Sequence, residues 1–210
     1  MKILENPKMN VNLGNEMRFF SKKETGWILV ILVLIASASL YNFRLSLRRA
    51  RDAQRKADLG QIYNALGAYQ TDFGFYPPSL DGKIVACEKP GVDFSKIDKK
   101  EVDLMDIFQS CEWGQDSLKD VFDPSYPVYL EVLPVDPHKT EGASYIYFSS
   151  GSHFQLYASL EGEDEEEFQS VIAERNLACG VRVCNFGRAS GRTPLDKSIG
   201  EYENELLQGK

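Results

Sequence analysis

The run from Thr25 to Phe43 carries no charged residue, and it limits what the chain can fold into more than any other feature of the sequence. As a helix, its nineteen positions rise about 28 Å, close to the hydrocarbon thickness of a bilayer, about 30 Å. Trp27 and Tyr41 lie near the two ends, where amphipathic rings favour the headgroup level. Because Trp27–Ile35 is apolar on every side, a buried core helix is disfavoured. The sequence predicts one transmembrane helix over 25–43, preceded by a cytoplasmic segment, 1–24.

A cleaved secretory signal is the alternative explanation of the apolar run. Ala36-Ser37-Ala38 resembles the small-residue site at which secretory signals are cut. The helical pattern continues beyond these residues without a break, however, and this continuity favours a retained anchor. We therefore expect the chain to stay in the cell membrane, which it crosses once.

The remainder of the chain is polar and acidic, which limits the classes of function. The formal net charge of -7 argues against a nucleic-acid binder, since such proteins set clustered Lys and Arg against phosphates. His138 and His153 are the two histidines, too few for a multi-histidine metal site. Ser150 and Ser152 lie beside His153 but in no Gly-x-Ser-x-Gly motif, and the sequence has no glycine-rich phosphate loop. We therefore expect no enzyme activity, cofactor, metal or small-molecule substrate.

Two features of the sequence disagree about the side of the membrane on which the C-terminal domain lies. The positive-inside rule counts Lys and Arg near the span, and more of them follow the span than precede it. Those before it are Lys8, Arg18, Lys22 and Lys23, and those after it are Arg44, Arg48, Arg49, Arg51, Arg55 and Lys56. This count favours a cytoplasmic domain, whereas the cysteine content favours an oxidising compartment.

The cysteines all lie in the C-terminal part of the chain, at Cys87, Cys111, Cys179 and Cys184. Four cysteines allow three pairings, and we favour Cys87–Cys111 with Cys179–Cys184 because each bond closes a local loop. Buried free thiols are the alternative. A zinc site is disfavoured because the Cys179-x4-Cys184 spacing has no second close pair to complete four ligands.

A second helical pattern directly follows the apolar run, over residues 44–72. Its apolar residues recur at spacings of three and four and form one face: Leu59, Ile62, Tyr63, Leu66 and Tyr69. Gly74 suits a left-handed C-terminal cap, and Pro77-Pro78 forbids continuation of the helix. The sequence therefore predicts one long helix whose second half offers an apolar face to a globular domain, 73–210.

Short strands are predicted in the second half of this domain, over residues 127–186. The alternating segments are Val128–Leu133, Ala143–Ser149 and Phe154–Ser159. Residues 75–125 are rich in turn formers and predict an irregular connection with a short helix near Val102–Cys111. The expected fold is α+β, with a long N-terminal transmembrane and amphipathic helix packed on a small antiparallel β-meander.

An acidic run, Glu161 with Glu163–Glu167, is interrupted by Gly162. Calcium needs several oxygen ligands in a defined loop, and nearly consecutive carboxylates lack the alternating spacing of such a loop. We expect a solvated turn that leads into a helix at Glu166–Asn176, where acidic residues suit the positive helix N-terminus.

Five segments of the sequence resemble, in their order and spacing, the type IV pilins and the pseudopilins of type II secretion. They are Ala50–Leu59, Ala65–Tyr69, Asp72–Pro77, Leu133–Pro137 and Tyr145–Tyr147. The first three look like the helix and its exit in the major pseudopilin, and the last two look like that family's entry into its sheet. With the long N-terminal helix and the meander included, the resemblance covers roughly residues 26–160, so it implies a pilin-like fold over most of the chain.

The resemblance implies a non-enzymatic structural subunit of a type II secretion or type IV pilus-like assembly, whose N-terminal helix meets those of other pilin-like subunits. It also implies an extracytoplasmic domain, as the cysteines do, and a leader-like segment cut between Gly26 and Trp27. Ile31 stands five residues into the mature helix, where the family has a Glu that pairs with a neighbouring subunit's terminus. Ser149–His153 contains no carboxylate for the family's calcium loop. A membrane-tethered extracytoplasmic binding domain that uses this fold without forming a filament is the alternative.

Overall fold

The chain begins with one long helix, α1, which runs from Lys22 to Phe73 over 52 residues in the computed structural model. The structure describes residues 22–94, 97 and 104–209. The leader-like segment 1–24 therefore lies almost wholly outside the described residues. Contacts divide the chain into two compact units, one ending at Ser46 and the other starting at Leu47.

In the first unit, α1 exposes the apolar run. Trp27 is 71% exposed and Leu34 is 64% exposed, so these side chains have no cover among the described residues. Within the described part of the chain, α1 is the one helix long and apolar enough to cross a membrane. The span predicted at 25–43 lies inside it.

From Leu47 onward, α1 belongs to the second unit and supplies part of its core. Four of the five residues predicted for the apolar face are buried: Leu59, Ile62, Leu66 and Tyr69. Tyr63, the fifth, is 36% exposed. Gly74 has a φ of +81°, and its N–H donates to the Gln70 carbonyl at 2.8 Å, which closes the helix. The predicted end of α1 is confirmed, and so is its apolar face apart from Tyr63.

The first sheet lies where the sequence predicts an irregular connection, 75–125. It consists of β1 (Ser79–Leu80), β2 (Lys83–Glu88) and β3 (Phe108–Ser110), antiparallel in the order β1-β2-β3. The expectation of an irregular connection is wrong because the apolar residues of β2 form a buried strand, although residues that favour turns surround it in the sequence. Asp81 and Gly82, which separate β1 from β2, both have positive φ, as the tight turn of a hairpin requires.

The short helix predicted near Val102–Cys111 is present only in part. It is α2, Leu104–Ile107, and the chain then extends into β3, where Phe108 pairs with Glu88 of β2. Pairing with β2 therefore replaces helix in the second half of the predicted segment. Val102 lies outside the described residues.

The second sheet has β5 (Phe154–Ala158) at its centre, between β4 (Ile146–Ser149) and a third strand from later in the chain. The strand predicted at Val128–Leu133 does not form. This segment makes one isolated bridge, from Leu130 to Leu118, and it lies between Pro127 and Pro134, which interrupt strand pairing. β4 and β5 correspond to the other two predicted strands.

The third strand of this sheet extends past residue 186, the predicted end of the sheet region. After β5 the elements in chain order are α3 (Ser170–Glu174), β6 (Ala178–Cys179), β7 (Arg182–Val183), β8 (Phe186–Ala189) and α4 (Ile199–Leu207). β8 is the third strand and pairs antiparallel with β5. β6 and β7 form a separate hairpin. The fold is α+β, a long apolar N-terminal helix with small antiparallel sheets.

Two disulfides, Cys87–Cys111 and Cys179–Cys184, involve all four cysteines. The first joins β2 to the residue after β3, and the second joins β6 to the residue after β7. This pairing is the one favoured on sequence grounds. Each bond therefore ties together strands that are also neighbours in a sheet.

Candidate functional site

A buried charged group in the second unit lies on the same face of α1 as the core residues. Arg55 precedes Leu59 by four residues, one helical turn, so the apolar face of α1 continues into a guanidinium. The Arg55 side chain is fully buried. A cation removed from water requires carboxylates within hydrogen-bond reach, because an unpaired buried charge is strongly destabilising.

Three carboxylates surround this guanidinium and complete the Arg55 cluster, defined as Arg55, Asp52, Asp136 and Glu161. Asp136 accepts two hydrogen bonds, from Nε at 2.8 Å and from Nη2 at 3.1 Å. Nη1 donates to Asp52 at 2.7 Å and to Glu161 at 2.9 Å. Burial alone would lower the pKa of Arg55, but the hydrogen bonds to Asp136 and Glu161 outweigh burial and raise the pKa above its usual value. The arginine therefore stays charged inside the domain.

Backbone N–H groups from two loops hold the carboxylates of the Arg55 cluster. Asp52 accepts from the N–H of Glu161 at 2.9 Å and from that of Gly162 at 3.0 Å. Asp136 accepts from the N–H of His138 at 2.7 Å. The cluster thus bonds α1 to two loops that lie far from it and from each other in the sequence.

The acidic run 161–167 forms a row of ion pairs with α1. The pairs are Arg51–Glu161, Arg48–Asp164, Lys56–Glu165 and Lys56–Glu167. The run is a turn, as expected, and four of its six acidic residues are exposed; the ion pairs with α1 are the feature that the sequence interpretation did not include. The helix predicted at Glu166–Asn176 is also shorter than expected: it is α3, which begins at Ser170. Basic residues spaced by three and four along α1 were the sequence signal that could have indicated this pairing.

Glu161 connects the buried cluster to the more exposed ion pairs. Arg51 donates to both of its oxygens, from Nε at 2.8 Å and from Nη2 at 2.6 Å. Nε2 of His138 lies 3.0 Å from Oε1 of the same carboxylate. The Arg51 hydrogen bond, opposed by burial and aided by Arg55, lowers the pKa of Glu161 to about 2. Glu161 therefore remains ionised at neutral pH.

The structure brings Ser150 and His153 together with Glu203, a residue of α4 that the sequence did not indicate. The Ser150 hydroxyl donates to Oε1 of Glu203 at 2.6 Å, and Nδ1 of His153 lies 2.8 Å from the same oxygen. Hydrogen bonds from Ser150 and then from His153 lower the pKa of Glu203. An activated serine needs its hydroxyl hydrogen-bonded to the imidazole, whereas here the Ser150 hydroxyl bonds the carboxylate and accepts from the His153 backbone N–H. This arrangement attaches α4 to the β4–β5 turn.

Other residues singled out in the sequence lie apart from these groups. Gly26, Trp27 and Ile31 all lie within α1 in the first unit, and Ile31 is 53% exposed. Ser152 is exposed in the turn between β4 and β5. Among the described residues, no group of three His, Cys, Asp or Glu side chains could hold a metal ion.

Comparison of the chain with protein-family models, with curated proteins and with solved structures finds no match. A function for the chain must therefore be inferred from its own sequence and structure, in which two features stand out. They are a helix long and apolar enough to cross a membrane, and a domain that binds the second part of this helix through the Arg55 cluster.

Replacing Arg55 by Gln should destabilise the domain by about 3–5 kcal/mol, because buried carboxylates lose their counter-charge. The matched control is Arg49→Gln on the same helix, since the Arg49 side chain is 60% exposed and lies 3.9 Å from Asp164. This control should cost no more than about 0.5 kcal/mol. Chemical denaturation of the detergent-solubilised chain measures both. Equal costs for the two variants would contradict a stabilising role for the buried cluster.

The stability of the chain in acid should depend on Glu161. Its folded-state pKa of about 2 lies below the usual value of 4.5, so its stabilising effect is complete above about pH 4.5 and is lost as the pH falls toward 2. Glu161→Gln should therefore lose less stability than the parent chain over this interval. Glu163→Gln, at an exposed position of the same run, should follow the parent chain. Thermal unfolding at a series of pH values tests this, and parallel curves for Glu161→Gln and the parent would refute it.

Proposed function

We propose that this chain is a non-enzymatic pilin-like or pseudopilin-like membrane protein, a structural subunit of a type II secretion or type IV pilus-like assembly. The observation that carries the proposal is the single helix α1, whose first part is apolar and exposed and whose second part belongs to the domain core. A subunit built this way can place the first part of the helix among other membrane helices while the domain remains in water.

The exposed part of α1 is suited to helix contacts in lipid. Ala36, Ser37, Ala38 and Ser39 are small and let helix backbones approach closely. The Ser37 hydroxyl donates to the Val33 carbonyl at 2.8 Å, so it is already satisfied within its own helix. Packing of small side chains, and not a polar contact from Ser37, is therefore the interaction that would bring neighbouring helices together.

The presence of Ile31, where the pilin family has a Glu, favours a minor or transient subunit of an assembly and disfavours a subunit that forms the bulk of a filament. With no carboxylate at this position, no intramembrane charge pair can align neighbouring chains. Packing alone must then set the register, and the resulting association is weak. The same substitution supports the alternative, a membrane-tethered extracytoplasmic binding domain that forms no filament.

Two disulfides support an extracytoplasmic position of the domain, because such bonds persist in oxidising compartments. By the positive-inside rule, the larger number of basic residues after the span favours a cytoplasmic domain instead. Several of them have a structural role, however, since Arg48, Arg51, Arg55 and Lys56 are all ion-paired with acidic residues of the domain. These residues are therefore needed to bind the domain to α1, and their number is a weaker indication of the side of the membrane on which the domain lies.

Single cysteines placed along Ala36–Leu40 should crosslink to neighbouring pilin-like chains in native membranes, because this segment offers the small residues for close packing. A cysteine at Val171, 47% exposed on α3, is the control and should form no such product. Mass spectrometry of the mature N-terminus completes the experiment. A chain beginning at Trp27 together with crosslinks supports a filament subunit. An intact leader with no crosslinked neighbour would overturn that function in favour of the tethered domain.

A further inference from the structure

A groove of about 450 Å³ opens beside the start of α4, in a part of the domain with no role in the function proposed above. Its apolar lining comes from Phe148 on β4, Leu177 before β6 and Ile199 on α4. Ligand sites in proteins have volumes of about 300–1,000 Å³, with apolar walls and a few fixed polar groups. The groove is therefore large enough for a small organic group, and its lining would exclude water from an apolar one.

Arg175 is the positively charged residue that lines this groove, and hydrogen bonds from one of its terminal nitrogens fix the position of its side chain. Nη1 donates to the Tyr157 hydroxyl and, at 2.8 Å, to the Leu195 carbonyl. The guanidinium carbon also lies 5.4 Å from the centre of the Tyr157 ring. In the described part of the chain these hydrogen bonds all leave from Nη1, and no carboxylate lies within ion-pair distance. Nε and Nη2 are thus left to donate to a ligand from a pre-oriented side chain.

The other charged group in the groove, Glu203, is already engaged. One of its oxygens accepts from the Ser150 hydroxyl at 2.6 Å and lies 2.8 Å from Nδ1 of His153. Arg175 interacts at longer range with the Glu201 carboxylate, but among the described residues it has no carboxylate within ion-pair distance, so its charge can still pair with a ligand. Gly200 lines the groove next to Ile199, and a Cβ added there would meet nothing within 4 Å, so a side chain can be introduced at this position without a clash at its Cβ.

We propose that this groove binds a carboxylate joined to an apolar group, such as the C-terminal residue of a peptide or a short fatty acid. The carboxylate accepts hydrogen bonds from Arg175, and the apolar group packs on Phe148, Leu177 and Ile199. Bidentate recognition of a carboxylate by a fixed guanidinium gives the site its charge selectivity. The proposal is independent of filament formation, because every residue it uses belongs to the globular domain.

The test is a titration of the full-length chain in nanodiscs, followed by isothermal calorimetry or ligand-observed NMR. The probes are N-acetylleucine for a peptide C-terminus and hexanoate for a fatty acid, each compared with its uncharged amide. At least one acid should bind saturably, and its amide should bind about tenfold more weakly or worse, because the charge-assisted hydrogen bonds are lost. Saturable binding of N-acetylleucine alone, or of hexanoate alone, identifies the source. Equal binding of acids and amides, or no binding, overturns the proposal.

Three variants of the chain test whether the ligand binds in this groove. Arg175→Gln should weaken binding of the acid by about tenfold or more, whereas Arg192→Gln, an exposed arginine outside the groove, should leave it unchanged. Because Arg175 also supports Tyr157 and Leu195, Gly200→Leu is a second variant that keeps those contacts and narrows the entrance. Loss of binding in Gly200→Leu with a folded domain supports the site. Undiminished binding in either groove variant contradicts it.

Discussion

The burial of one positive charge on α1 constrains where two loops of the domain must lie. Arg55 has no access to water, so it can be accommodated only if carboxylates close around it. One of them, Asp52, comes from the preceding turn of the same helix, but Asp136 and Glu161 come from separate loops. Both loops must therefore reach α1 before the domain is complete, because a fold that left either loop away from the helix would remove one of the three carboxylates that pair with the Arg55 guanidinium.

The Arg55 cluster and the apolar face of α1 act at adjacent turns and complement each other. The apolar residues from Leu59 to Tyr69 supply non-directional burial, which favours contact with the sheets but does not fix an exact position. The bidentate Arg55–Asp136 contact has a defined geometry. We infer that apolar burial stabilises the contact with α1 and that the charged cluster fixes the register of the helix against the domain. The exposed ion pairs of the acidic run add little energy individually but repeat the same register along the helix.

The parts of the fold that follow local rules could be predicted from the sequence. The end of α1 at Gly74 needs only a glycine that tolerates positive φ, and the apolar face follows from a spacing of three and four. β4 and β5 are likewise joined by a short turn with alternating flanks. The disulfides join cysteines 24 and 5 residues apart, within reach of a local-loop argument.

The parts that depend on distant partners could not be predicted. β8 enters the sheet only because it pairs with β5, and its own four residues carry little strand signal. Arg55 and Asp136 are 81 residues apart, so nothing in the local sequence shows that these two charges meet. The same holds for the groove at Arg175, whose walls come from β4, β5 and α4. An acidic run considered alone is typical of a solvated turn, and only the tertiary structure shows the cations it faces.

Hydrogen exchange on the full-length chain tests most directly the claim that α1 is an integral part of the domain. If the cluster and the apolar face bind the helix as described, the amides of Leu59, Ile62 and Leu66 should exchange only through global unfolding. They would then show the same opening free energy as Leu156 at the centre of β5. If the α1 amides instead open with a clearly lower free energy while β5 stays protected, the helix is attached to a domain that is stable without it, and the account is contradicted.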